Sequence, residues 1–315
     1  MDAVIVGIDV AKDKLDVAVR PSGERLIVSR DEAGLAELRE RLRKLQVAIV
    51  GLEATGGYET VVAASLSAAG LPVVVVNPAQ VRAFAKALGK RAKTDPIDAA
   101  VIAHFIEATK PKVRPLPDEA TRQLSGLVAR RSQILAMIVA EQQRKKHRPN
   151  PRMLASIERL LAALQKELSD LDGQIREAIQ TSPLWREKDR LMESVPGVGP
   201  AIAGRLLAEM PELGSLDRRQ VASLAGLAPW TRQSGQWKGK SFIGGGRAGV
   251  RSALFMGALV AVQHNRTLKA FYERLIAAGK EKMVALIAVA RKLLTILNAM
   301  LRDGEPWKEE LEAHA

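Results

Sequence analysis

The chain has 315 residues, 48 Lys and Arg against 35 Asp and Glu for a net charge of +13, 47% hydrophobic but only 3% aromatic residues, and no cysteine. This length exceeds the roughly 250 residues at which single cores stop growing, so more than one domain is expected; the missing cysteines exclude a disulfide framework and a thiolate zinc site. The scarce aromatics count against base-stacking platforms, no secretory signal is apparent, and the best apolar run, Met283 to Leu301, is interrupted by Arg291 and Lys292, so a cytoplasmic protein without a membrane partner is expected.

The first predicted element is a buried strand, Val4-Ile5-Val6-Gly7-Ile8-Asp9, an apolar run that delivers one carboxylate to a sheet edge. Leu15-Asp16-Val17-Ala18-Val19 alternates as a half-buried strand does, and Arg25-Leu26-Ile27-Val28 follows the turn Pro21-Ser22-Gly23 as a third strand. Leu35, Leu38, Leu42 and Leu45 fall at helical spacing behind Asp31, an N-cap residue type. Strands and helices then alternate: Val47–Leu52 ending in Glu53, a helix from about Glu59, Val73–Val76, a helix from about Ala79, and a helix from about Pro96. Three leading strands followed by alternating strands and helices predict an α/β domain with the mixed sheet of a ribonuclease-H-like fold over residues 1–110.

Lys110 to Pro117 contains three prolines and ends that domain, because proline cannot continue a helix. Two long helices are expected over 111–190. In the second, Leu154, Ile157, Leu161, Leu164, Leu168, Leu171 and Ile175 step by three and four, a coiled-coil seam that predicts a helical hairpin and protein association. Its tip is basic, with Arg144, Lys145, Lys146 and Arg148, fit for a solvated turn or for a nucleic-acid contact. A mainly α third part is expected over 191–315. Val195-Pro196-Gly197-Val198-Gly199-Pro200 resembles the turn of a helix-hairpin-helix, in which Gly197 and Gly199 would expose backbone N–H groups to phosphate. Residues 227–251 are free of acids and hold Arg232, Lys238, Lys240, Arg247 and Arg251 in a glycine-rich loop, an arrangement suited to phosphate. Within it Gly239-Lys240-Ser241 looks like the end of a P-loop, but Ser234 fills the earlier glycine position and a Walker-type site is rejected.

Four acids stand out against this background: Asp9 and Glu53 at strand ends, and Asp95 and Asp98 three residues apart about Pro96. Proline fits the first turn of a helix, and residues at i and i+3 share one helix face, so all four can converge. Carboxylates gathered this way need a cation, and hard oxygen donors suit Mg²⁺ or Mn²⁺. Charge is divided along the chain to match: residues 1–110 carry 15 basic and 14 acidic side chains, residues 111–315 carry 33 and 21. A basic second part holding a polyanion against the acids of the first predicts metal-dependent phosphoryl transfer on nucleic acid.

Taken in order, Gly7 to Lys12, Glu53 to Tyr58, Lys93 to Ala99, Pro196 to Pro200 and Ser234 to Arg247 resemble the DEDD transposases of the insertion-sequence 110/1111 family over nearly the whole chain. The resemblance implies a RuvC-like catalytic domain, a coiled-coil linker and a C-terminal transposase domain that carries a serine. It also implies that Asp9, Glu53, Asp95 and Asp98 are the catalytic, metal-binding acids, and that Ser234 is the nucleophile, Ser241 being the other serine of the loop. The implied partners are donor and target double-stranded DNA, a structured noncoding bridge RNA that pairs with both, and further copies of the chain in a dimer or tetramer. The competing expectation on the same fold is a Holliday-junction nuclease that uses metal-activated water and needs no serine.

Overall fold

The computed structural model describes residues 3–54, 56–90, 95–113, 116–147, 150–231, 233–235 and 237–308, with the backbone alone for Asp95, Pro96, Trp237 and Lys238. The chain divides into two compact units, Met1–Pro117 and Asp118–Ala315.

The first unit is built on a five-stranded mixed sheet. Its elements are β1 Ile5–Val10, β2 Lys14–Arg20, β3 Arg25–Ser29, α1 Glu32–Lys44, β4 Ile49–Glu53, α2 Tyr58–Ala68, β5 Val73–Val76, α3 Pro78–Ala87 and α4 Asp95–Thr109. The strand order is β3-β2-β1-β4-β5; β1, β2 and β3 form an antiparallel meander, whereas β4 and β5 run parallel to β1. Alternation along the strands sends side chains to two separate cores. Val6, Ile8 and Val10 pack with Leu38, Leu42 and Leu66 of α1 and α2 on one face, while Ile5 and Val76 pack with Val81, Ile102 and Ile106 of α3 and α4 on the other. The predicted helix cap is present, Asp31 accepting from the Gly34 N–H at 2.8 Å. The alternation of β2 suggests one wet face, yet every residue from Leu15 to Val19 is buried, because α4 covers the polar side as well.

The second unit comprises α5 Glu119–Lys146, α6 Pro151–Thr181, α7 Pro183–Glu193, α8 Pro200–Glu209, α9 Arg218–Leu224, the two-residue strands β6 Gln233–Ser234 and β7 Trp237–Lys238, α10 Ala248–His264, α11 Arg266–Ala277 and α12 Lys282–Asp303. Helices α5 and α6 pair through Ile134, Ile138, Ile157, Leu161, Leu164 and Leu171. The Asn150 side chain caps α6 by accepting from the Met153 N–H, with Pro151 in the first turn. Helix α12 is long and apolar enough to cross a membrane by length and composition alone, although the Arg291-Lys292 interruption suggested otherwise. Those two residues are not buried, and Val289, Leu293, Leu294 and Leu297 are fully enclosed in the core shared with α7, α8, α9 and α10. Of its most apolar stretch 44% is buried within the unit.

Asp189 on α7 is buried, and its Oδ1 has no hydrogen-bond partner. Burial pushes its carboxyl up to about 6, Glu193 adds repulsion and Arg176 partly offsets both. In the unfolded chain the same group ionises near 3.8, so between about pH 4 and 6 the folded protein holds the proton more tightly and stability falls as pH rises. Asp189→Asn is therefore expected to stabilise the second unit by about 1–2 kcal/mol at neutral pH and by little near pH 4; denaturation curves at the two pH values would show it, and an equal effect at both would contradict it.

Helix α4 lies against the sheet at backbone distance. A Cβ placed on Gly7 would stand 2.3 Å from both the Ala103 nitrogen and the Ala99 oxygen, and one on Gly51 would stand 2.6 Å from Ile106 Cγ1. Gly7→Ala is expected to push the helix off β1 and destabilise the first unit by at least about 2 kcal/mol; an unchanged unfolding midpoint would refute this close approach.

Candidate active site

Strands β1 and β4 are parallel neighbours with Ile8 beside Leu52, so the next residues, Asp9 and Glu53, come side by side in the last residues of the two strands. Alternation puts Gly7 and Asp9 on one face, with Gly51 and Glu53 beside them. That is the face on which α4 rests. The helix runs back along β1, since Ile5 at the strand start clusters with Val101, Ile102, Phe105 and Ile106. Arg20 anchors its later half by pairing with Glu107 at 2.6 Å and donating through Nε at 2.8 Å. The first turns of α4 are thereby carried to the strand ends, and Asp98, one turn before Ile102, arrives next to the other acids.

Asp9, Glu53 and Asp98 line one open cleft of about 580 Å³, together with Ala11, Pro78, Ala79, Arg82 and Val101. All three acids are half-buried. Asp95 begins α4, and its side chain lies outside the described residues. Among the described residues no three of His, Asp and Glu approach closely enough to enclose a metal, but three carboxylates facing one cleft supply the hard oxygen donors that Mg²⁺ or Mn²⁺ takes.

The cleft is braced from outside by Arg30. Its Nε donates to the Lys12 carbonyl at 2.6 Å, its backbone N–H donates to the Asp13 carbonyl at 3.0 Å, and its guanidinium stacks 4.8 Å from the Tyr58 ring centre. The turn after β1 is thus tied to the start of α2. A further acid, not singled out from the sequence, lies beside the site: Asp16 of β2 is the direct cross-strand partner of Asp9 and is only 2% exposed. Its signal in the sequence is slight, one acid at a strand position whose face also carries Arg20.

The remaining candidates belong to the second unit. Ser234 is exposed at the end of a short hairpin, where it pairs with Trp237 about a turn containing Gly235 at φ 55°. Below it, Trp230 and Phe242 exchange backbone hydrogen bonds of 2.9 and 3.0 Å. Lys240 and Ser241 are also exposed. Arg247 makes a two-pronged ion pair with Glu212 at 2.6 and 2.7 Å, and Arg251 donates to the Gly245 carbonyl at 2.7 Å; both bind the base of the loop to the body of the unit. Arg232 lies outside the described residues, as does the side chain of Lys238. At the end of α5 Arg144 pairs with Glu141, and Lys145 pairs with Glu158 at 2.8 Å; Lys146 is exposed, and Arg148 lies outside the described residues. Gly197, at φ 109°, packs where a Cβ would meet Ala261 of α10 at 2.7 Å; Gly199 faces open space before α8.

Comparison with known proteins joins the two units. A family described as transposase, the DEDD transposases of IS110, matches residues 6–148, and the transposase IS116/IS110/IS902 family matches residues 189–273. The pilin gene-inverting protein of Moraxella bovis is 28% identical over 99% of both chains, and that of Moraxella lacunata is equally similar. An uncharacterised protein of insertion element IS110 from Streptomyces coelicolor is 31% identical over 51% of this chain and 39% of its own length.

Proposed function

Because the chain belongs to the IS110 family of DEDD transposases, we propose that this DNA-transposing enzyme cuts and rejoins strands with the acid cleft of its first unit and the serine loop of its second. The observation that carries this reading is the convergence of Asp9, Glu53 and Asp98 on one cleft. The sheet order β3-β2-β1-β4-β5, with its antiparallel meander and two parallel strands, supports a RuvC-like catalytic fold over the first unit. The paired helices α5 and α6, with their shared apolar seam, support a coiled-coil linker over 111–190 that brings copies of the chain together, and residues 191–315 form the transposase domain with the serine.

Asp9, Glu53, Asp95 and Asp98 would hold Mg²⁺ or Mn²⁺, which when bound supplies positive charge to the phosphate oxygens that gain negative charge during transfer. The chain itself contributes the nucleophile and the hold on the backbone. Ser234 Oγ forms a bond to phosphorus as the bridging P–O bond of the strand breaks, and the hydroxyl proton leaves as the displaced oxygen is freed. The bond energy is retained in the phosphoserine, so a strand hydroxyl from the new partner reverses the step without an external energy source. Lys240, with Arg232 and Lys238, would face the phosphate charge, while Arg247 and Arg251 hold the base of the loop. Acids and serine lie in different units, which suits an assembly of two or four protomers in which one chain's cleft meets another's loop.

The substrates on this reading are donor and target double-stranded DNA, with a bridge RNA choosing both by base pairing. The basic residues of the second unit would then hold phosphates, contacts that carry affinity and little sequence information. Inversion of a DNA segment, which the names of the Moraxella proteins describe, is the same exchange between two sites on one molecule. The cytoplasm, where DNA and RNA meet in a bacterial cell, is the corresponding compartment.

A plasmid recombination assay in cells, together with trapping on nicked DNA and mass mapping of any adduct, tests the proposal. Asp9→Asn and Ser234→Ala are each expected to reduce recombinant junctions by at least about a hundredfold, and the adduct is expected on Ser234. Wild-type recombination by either variant would overturn that residue's role, and an adduct on Ser241 would move the nucleophile within the loop.

A further inference from the structure

Asp16 is placed at a cost. Strand register sets it directly opposite Asp9, and like charges so opposed destabilise a sheet. The residue is 2% exposed, and neither carboxylate oxygen accepts a hydrogen bond. Its compensation is an ion pair off the hydrogen-bonding line: the Lys14 Nζ stands 3.0 Å from Oδ2, and the Lys14 side chain remains 43% exposed. Two residues apart on one strand, Lys14 and Asp16 share the face that carries Arg20 and its bond to α4. The Lys14 carbonyl accepts from the Ala11 N–H at 3.0 Å, and Ala11 lines the acid cleft. The Lys14 side chain, 43% exposed and paired with Asp16, thus belongs to the strand that lies directly beside Asp9.

We infer that Lys14 is a phosphate-contacting residue of the active site and that Asp16 is the positioning residue that aims it. A cleft lined by carboxylates repels the DNA backbone it must admit, and a lysine acts on phosphate as a point charge. Anchored at the rim, it would take a non-bridging oxygen of the strand entering beside Asp9. A buried acid suits the anchoring because removing one partner of a buried pair leaves the other uncompensated, so the lysine is held at that spot. The inference rests on the acid cleft being the active site, and its test separates the two ideas.

The full chain, purified with the nucleic acid that accompanies it, would be assayed for single-turnover cleavage of duplexes carrying the ends of its own element, at saturating DNA. Mn²⁺ affinity would be followed in parallel by electron paramagnetic resonance. Lys14→Met is expected to slow cleavage by at least about tenfold and Lys14→Arg to recover most of the rate. Asp16→Asn is expected to slow it about tenfold, and to add nothing in the Lys14→Met background, since it acts through the lysine. Mn²⁺ affinity is expected to stay within about twofold in all three variants, because neither side chain touches the metal. Wild-type cleavage by Lys14→Met, or additive effects in the double variant, would overturn the inference. So would a Mn²⁺ affinity weakened about tenfold or more by Asp16→Asn, which would make Asp16 a ligand. Asp9→Asn run beside them distinguishes the alternatives: if it too cleaves normally, the active site itself is misplaced.

Discussion

The acid site depends on how closely α4 lies on the sheet. Two glycines at matched positions of neighbouring parallel strands, Gly7 and Gly51, leave no side chain beneath the helix, and Ala99, Ile102, Ala103 and Ile106 occupy the space. Each glycine is followed two residues later by an acid on the same face, Asp9 and Glu53. The helix runs against β1, so its N-terminal turns, with Asp98, reach the strand ends. A larger residue at either glycine would lift the helix and with it the third carboxylate. Packing in the core and placement of chemistry are one constraint.

Electrostatics divides the labour between the units. The first unit concentrates acids at one cleft and offsets them locally, with Arg82 in the cleft wall, Lys14 beside Asp16 and Arg30 bracing the turn above. In the second unit several cations already have structural partners. Arg247 with Glu212 and Arg251 with the Gly245 carbonyl fix the base of the serine loop, so the part of the loop that faces outward is the hairpin with Ser234 and Lys240. A tethered base and an exposed tip are what the nucleophile proposed for this loop would need, because small errors in positioning slow attack.

Much of this was legible in the sequence where the signal is local. The succession of strands and helices along the first unit followed from short apolar runs, the start of α1 from Asp31, and the start of α4 from Pro96 between Asp95 and Asp98. Asp9 and Glu53 were visible because each ends an apolar run. Features that depend on distant packing were not legible. Asp16 reads as the wet position of an alternating strand, and only α4, some eighty residues later in the chain, turns that position into a buried one. Arg247 reads as one more loop cation until Glu212, 35 positions away, occupies it. Helix α12 shows an apolar surface whose meaning depends on the helices around it. In each case the deciding partner lies far along the chain, beyond the reach of spacing and periodicity.

The central claim is that one cleft, at the ends of β1 and β4 and under the start of α4, is where a divalent ion meets the DNA backbone. Anomalous scattering from crystals of the full chain grown with Mn²⁺ tests it most directly. The account predicts a peak between Asp9, Glu53 and Asp98, within about 2.0–2.3 Å of carboxylate oxygens, that disappears in Asp9→Asn. A strong peak elsewhere with this cleft empty, or an unaltered peak in the variant, would contradict it.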